Sequence, residues 1–312
     1  MGQAFKSAAL NQGGAVVESV KVEFGAWMPD QMNAFNPGAC EALNVIPGEG
    51  GYVPYRDFSL RTNALPAACR GAATVDSLSR DIKLFAATTA GIYARNGSNF
   101  DALYTHAFAI SDYHYVHFIP FGTYMVIIHP EFPTLLGNSN THEVKPLQPE
   151  TGTVPRARCG ARVGDFIVLG NLESELQDAL QPKQPRRIRW NGFNRVDLPW
   201  ITDELVQSDY QDLPSEGGAV MGIAGREFGT IFQERMITRM TYMGPPTVFS
   251  FETVEEERGA ICTDGIVDTG TLIYFIAQDG FYVWNGVNTA PIGDAIINKW
   301  FFDRLNYAER NR

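Results

Sequence analysis

Between Gly217 and Val254 the chain alternates short runs of strand-forming residues with turn chemistry. The runs are Ala219–Ile223, Phe228–Phe232, Met236–Met243 and Thr247–Val254. Ala224-Gly225, Gln233–Arg235 and Gly244-Pro245-Pro246 separate them. β-Branched and aromatic residues at period two suit a pleated, half-buried surface, and Gly and Pro supply the turns. In the third run Met236, Met240 and Tyr242 share one side, while Arg239 and Thr241 take the other. Four strands joined by tight turns predict an up-and-down antiparallel sheet, the form of one propeller blade.

The pattern recurs along the chain. Residues 72–105 give Ala72–Asp76, Ile82–Thr88, Ile92–Arg95 and Phe100–Tyr104, with Asn96-Gly97 as a hairpin signal. Residues 114–147 give His117–Phe121, Tyr124–His129, Thr134–Leu136 and Glu143–Leu147. Residues 158–197 give Phe166–Leu169 and Arg187–Trp190, separated by a polar insert, Asn171–Pro185. Residues 198–216 read as an acidic loop. Residues 259–292 give Gly265–Val267, Leu272–Ala277 and Phe281–Trp284. Gly91–Gly97 (GIYARNG) aligns without a gap on Gly280–Gly286 (GFYVWNG). Repetition at about 40 residues signals a propeller or similar array. The prediction is an all-β, propeller-like fold of about five to six small antiparallel blades, the sixth completed by the two termini.

Outside the repeats, residues 1–20 read as a loose arm and Lys21–Trp27 as a strand. Pro29–Pro54 reads as an ordered wrapping loop with a pairing segment at Asn44–Pro47. Ile297, Phe301 and Leu305 recur four apart, which predicts a short amphipathic C-terminal helix over Asp294–Leu305. Its aromatic face, Trp300 to Phe302, needs a neighbour. The expected organisation is an arm and wrapping loop over 1–60, a blade body over 61–293 and a helical tail over 294–312.

Composition narrows the function. The 312 residues carry a formal net charge of −10, with 30 glycines and 18 prolines spread along the chain. An acidic protein is poorly suited to clamping nucleic-acid phosphates, yet suits a channel through which DNA slides without sticking. Cys40, Cys69, Cys159 and Cys262 form no CxxC pair, so reduced thiols are expected in place of a zinc knuckle or disulfide framework. No apolar run reaches the length of a membrane helix, and no secretory signal opens the chain. Met1-Gly2 lacks the Ser or Thr of a myristoylation site, because Lys6 occupies that position.

Chemical motifs are sparse. Asp268-Thr269-Gly270 has the form of an aspartic-protease loop, but that chemistry needs two carboxylates sharing a proton, and a turn accounts for the triplet. Asp279-Gly280 lies in a string similar to a sialidase Asp-box, yet one residue short, and reads as a hairpin turn. His114 and His117, three apart, fall on opposite faces of a strand and cannot chelate one ion. The other histidines are His106, His129 and His142. The acidic residues Asp203, Glu204, Asp209, Asp212 and Glu216 miss EF-hand spacing and read as solvated surface. Arg186, Arg187 and Arg189 form the densest basic cluster, suited to DNA phosphates or, preferably, to acidic residues of a neighbouring subunit. No catalytic, cofactor-binding or metal-ligating residue is assigned.

Several long strings resemble the tail hub or nozzle proteins of short-tailed bacteriophages. They are Asp209–Pro214, Gly217–Ile223, Glu227–Arg235 and Arg239–Tyr242, with Val163–Asn171, Arg189–Gly192, Asp279–Phe281 and Ile292-Gly293 ahead of Trp300-Phe301-Phe302. The resemblance spans most of residues 20–303. It implies a non-enzymatic virion subunit with a propeller-like body, assembled in the host cytoplasm into a ring of six beneath portal and adaptor. Such a ring extends the DNA-ejection channel and carries fibres, a needle or a plug. Relatives tend to continue past the Trp-Phe-Phe segment. Two other classes remain open: a tail-associated hydrolase, acting through Asp268 or as a glycosidase, and a host-glycan-binding propeller using Trp190, Trp200 and Trp284.

Overall fold

The computed structural model describes residues 25–32, 36, 38–48, 51–55, 59–173 and 183–310. The arm at 1–20 and most of the strand expected at Lys21–Trp27 lie outside these residues; Trp27 itself makes an isolated parallel bridge to Ala39. The chain divides into two compact units, residues 1–60 with 291–305, and residues 61–290 with 306–312. No helix among the described residues is long and apolar enough to cross a membrane.

In the smaller unit β1 (Val45–Gly48) pairs antiparallel with β2 (Gly51–Pro54), so the pairing segment expected at Asn44–Pro47 lies in a hairpin. The C-terminal helix, α1 (Asn298–Phe302), is shorter than the expected span. Ala295 at φ 53° and Ile297 at φ −142° leave the helical region, so the residues before Asn298 form a turn that bonds back to the Gly293 carbonyl. The Asp30 carboxylate accepts from the backbone N–H groups of Lys299 (2.8 Å) and Trp300 (2.7 Å), satisfying donors that a helix start leaves unpaired. Trp27 meets Trp300 edge to face at 5.1 Å, supplying the neighbour that the aromatic face required.

The larger unit is all-β: five successive four-stranded antiparallel sheets among the described residues. The first contains β3 (Cys69–Asp76), β4 (Ile82–Thr88), β5 (Gly91–Asn96) and β6 (Asn99–Thr105). The second contains β7 (His117–Phe121), β8 (Tyr124–Ile128), β9 (Leu135–Asn138) and β10 (Glu143–Pro146). The third contains β11 (Ala157–Val163), β12 (Phe166–Leu172), β13 (Gln184–Trp190) and β14 (Asp209–Asp212). The fourth contains β15 (Val220–Gly225), β16 (Gly229–Gln233), β17 (Ile237–Tyr242) and β18 (Phe249–Glu255). The fifth contains β19 (Ile266–Asp268), β20 (Ile273–Ile276), β21 (Phe281–Trp284) and β22 (Thr289–Pro291). Each sheet is a meander in chain order. Between β5 and β6, Gly97 takes φ 60° at the first position of a two-residue turn, a conformation an L side chain resists.

The third sheet departs from the sequence reading. Its fourth strand, β14, lies inside the stretch read as an acidic loop, and the connection from β13 runs through residues 191–208. A sixth four-stranded sheet is not formed among the described residues; those of the two termini carry the β1–β2 hairpin and α1.

The core lies between consecutive sheets. Phe85 and Ile92 of the first sheet pack with Met125 and Ile127 of the second. Ile119 and Val126 of the second meet Ile167 and Leu169 of the third. Val168 and Trp190 of the third meet Ile231 and Met240 of the fourth. Phe232 and Ile237 of the fourth meet Phe275 and Trp284 of the fifth. First strands approach backbone to backbone. A Cβ on Gly71 would sit 2.2 Å from the Val116 carbonyl oxygen, and one on Gly225 would sit 2.1 Å from that of Arg162.

Candidate functional site

Antiparallel order sends the connections between first and second strands, and between third and fourth, to one end of every sheet. Hydrogen bonds tie these connections together across neighbouring sheets. The Leu78 N–H donates to Asn140 Oδ1 (2.9 Å), Gly164 N–H to the Arg226 carbonyl (2.5 Å), and Tyr242 Oη to Gln207 Oε1 (2.8 Å). The same end carries large exposed apolar side chains at its loop tips: Leu78, Leu205, Phe228, Met243 and Val287, with Leu205 94% exposed. Single exposed apolar residues are ordinary, and this set is distinguished by lying at one end of the sheets.

Asp268 closes β19 at this end. Arg226, from the β15–β16 connection, donates to both its oxygens at 3.0 Å, and the Gly270 N–H donates to Oδ1. Thr269 Oγ1 donates to the Leu272 carbonyl, completing a turn in which Gly270 adopts φ 108°. The carboxylate therefore clamps two neighbouring sheets. Asp279-Gly280 joins β20 to β21 as a hairpin connection, closed by Ala277 N–H donating to the Gly280 carbonyl.

The basic cluster finds its partners within its own sheet. Arg187 is bidentate to Asp212 at 2.7 Å and lies 3.9 Å over the Tyr210 ring, while Arg186 donates to the Leu213 carbonyl. The acidic partner expected from a neighbouring subunit is this chain's own β14. Asp212 is held below the usual carboxylate range by that hydrogen bond from Arg187. In the same stretch Asp203 accepts from Leu205 N–H and Asp209 from Thr202 Oγ1. Trp190, Trp200 and Trp284 are buried to 3%, 0% and 2% exposure, so they build the core and present no face to a glycan.

The histidines separate. His114 precedes the strand and does not share it with His117, which opens β7. His117 Nε2 lies 3.6 Å from Asp264 Oδ1, just before β19, so the second sheet meets the approach to the fifth. Burial lowers the His117 pKa and raises that of Asp264, and each charge partly offsets the other's shift. His106 stacks on Phe132 at 4.5 Å and Phe132 on His129 at 5.2 Å, with His114 6.2 Å from His129. His129 Nδ1 accepts from the Glu131 N–H; both His106 ring nitrogens are buried with no hydrogen-bond partner among the described residues. Burial pushes His129 down to about 4 and lowers His106 as well. Sequence reading missed both arrangements, because nothing local links residues so far apart.

The two buried thiols, Cys159 and Cys262, are inert by environment. Burial pushes Cys159 up to about 12 and raises Cys262, so neither is poised as a nucleophile. Among the described residues no three His, Cys, Asp or Glu side chains converge as a metal site.

No family model matches the chain, and no curated protein sequence matches it. Among solved structures, the computationally designed Ika8 protein is similar at 12% identity and TM-score 0.42, covering 72% of this chain and 60% of that one. U3-55K is similar at 11% identity and TM-score 0.42, covering 72% and 62%. The extracellular domain of the putative hybrid two component system BT4673 from B. thetaiotaomicron gives 14% identity and TM-score 0.37, covering 76% and 35%. The chain thus spans less than two thirds of each of these structures.

Proposed function

We propose that the chain is a non-catalytic structural subunit of a bacteriophage tail, a nozzle or hub component that self-assembles into a ring beneath portal and adaptor. The observation that carries this reading is the single end of the sheet array where Leu78, Leu205, Phe228, Met243 and Val287 stand exposed on laterally bonded loops. Such tips offer apolar area to a neighbouring protein on a rigid support. The strings that resemble tail hub and nozzle proteins supply the class. The net charge of −10 suits a lumen that repels phosphate and lets DNA pass with little adhesion. Fibre, needle or plug proteins would attach on the far side of the ring, and the virion is the destination.

Native mass spectrometry of the purified chain, with electron microscopy of particles carrying it, tests this. The expected result is a closed ring of six copies on the tail axis. A monomer at all concentrations, together with a position off that axis, would refute the reading.

A further inference from the structure

A cleft of about 690 Å³ opens between the second sheet and the β13–β14 connection of the third. That volume lies within the roughly 300–1,000 Å³ of small-molecule sites. Its apolar floor is Phe121, Leu147 and Val196, all buried. Tyr124 stands at its side with 37% of its surface exposed, and its hydroxyl makes no hydrogen bond among the described residues.

The polar lining is balanced in charge. Glu143 and Asp197 face Lys145 and Arg195. Arg195 is already committed, since it donates to both Asp197 oxygens (2.9 and 2.7 Å) and to Glu150 (2.7 Å). Those hydrogen bonds hold Asp197 below its usual range. The cleft therefore offers no surplus positive field to an anion. It does offer uncommitted hydrogen-bonding groups: the Lys145 ammonium, the Gln148 and Asn194 amides and the Tyr124 hydroxyl make no hydrogen bond or ion pair among the described residues. The amides each donate and accept, Tyr124 does both through one oxygen, and Glu143 accepts.

An exposed phenol ring beside paired donors and acceptors, without net charge, matches a ligand with an apolar face and rows of hydroxyls. We propose that this cleft binds a short uncharged oligosaccharide, one sugar ring lying against Tyr124 and its hydroxyls bonded to Gln148, Asn194 and Glu143. A purely apolar ligand would leave those polar groups desolvated and unpaired. The site is distinct from the three tryptophans, and it does not depend on ring assembly.

The test is calorimetric titration of the full chain with maltotriose, cellotriose, chitotriose and a bacterial O-polysaccharide fragment, alongside a sulfated disaccharide. The expected result is binding of at least one uncharged saccharide with Kd of about 1 mM or tighter. Tyr124→Ala should weaken it at least about tenfold, as should Gln148→Ala, whose exposed position spares the fold. Trp284→Phe should leave it unchanged. Failure of every uncharged saccharide to bind, preference for the sulfated probe, or binding indifferent to both cleft variants would overturn the proposal. Failure to form a ring would leave it standing, and failure to bind saccharide would leave the tail reading standing.

Discussion

The seam between the first and second sheets and the seam between the third and fourth are built on one plan and filled differently. The first holds Phe85, Ile92, Met125 and Ile127, with the His106–Phe132–His129 stack at its end. The other holds Phe166, Trp190, Met240 and Phe249, with Phe166 and Trp190 each edge to face on Phe249 at 5.0 and 5.1 Å. Its buried cluster includes Cys159, which stays protonated through the acid range. Equal architecture can thus carry unequal sensitivity to pH, because burial of an imidazole makes protonation costly whereas burial of a phenyl ring does not.

The largest effect should come from removing an aromatic from either seam. Phe85→Ala and Phe166→Ala, both fully buried, should each cost about 3–5 kcal/mol by denaturant titration near pH 8. A markedly unequal cost there would show that the seams differ in packing as well as in titration.

Acid should then separate them. His129 takes a proton near pH 6.5 when unfolded and only near about 4 when folded. Its contribution is complete above pH 6.5 and is lost as pH falls from 6.5 towards 4, by up to ~3 kcal/mol. His129→Phe should reduce the slope of stability against pH across that window, as read by chemical denaturation at stepped pH. A slope unchanged by the substitution would remove the distinction.

Asn191 lies buried beside the third sheet, accepting from Ile167 N–H at 2.7 Å and donating to the Arg195 carbonyl at 2.6 Å. Asn191→Ala should cost about 1–3 kcal/mol, with no dependence on pH between 5 and 8. The smallest effect is expected at Asp268→Asn, which weakens a solvent-screened pair with Arg226. Thermal melting should show no resolvable change, and the purified chain should show no proteolytic activity at acid pH with either residue.

Turn chemistry made most of this fold legible. The first and fourth sheets form all four expected strands with bounds displaced by up to three residues, since Asn-Gly and Gly-Pro breaks bound their apolar runs; Ala224-Gly225, read as a break, instead ends β15. β14 escaped because an outermost strand, half-exposed at Asp209 and exposed over the rest, carries no apolar alternation. α1 shrank because period-four spacing reports a face and says nothing of the backbone at Ala295 and Ile297. The candidate sites were legible only as residue types. Whether a tryptophan is core or platform, or which carboxylate meets Arg187, depends on neighbours that the string does not place side by side.

At Gly71 and Gly225 a peptide oxygen presses on a bare Cα, with no side chain between to compress or rotate. These contacts act as a stiff spine. A force pulling neighbouring sheets apart meets its resistance along their first-strand edges, so the sheets part first at their fourth strands, as bound pages fan from their free edges.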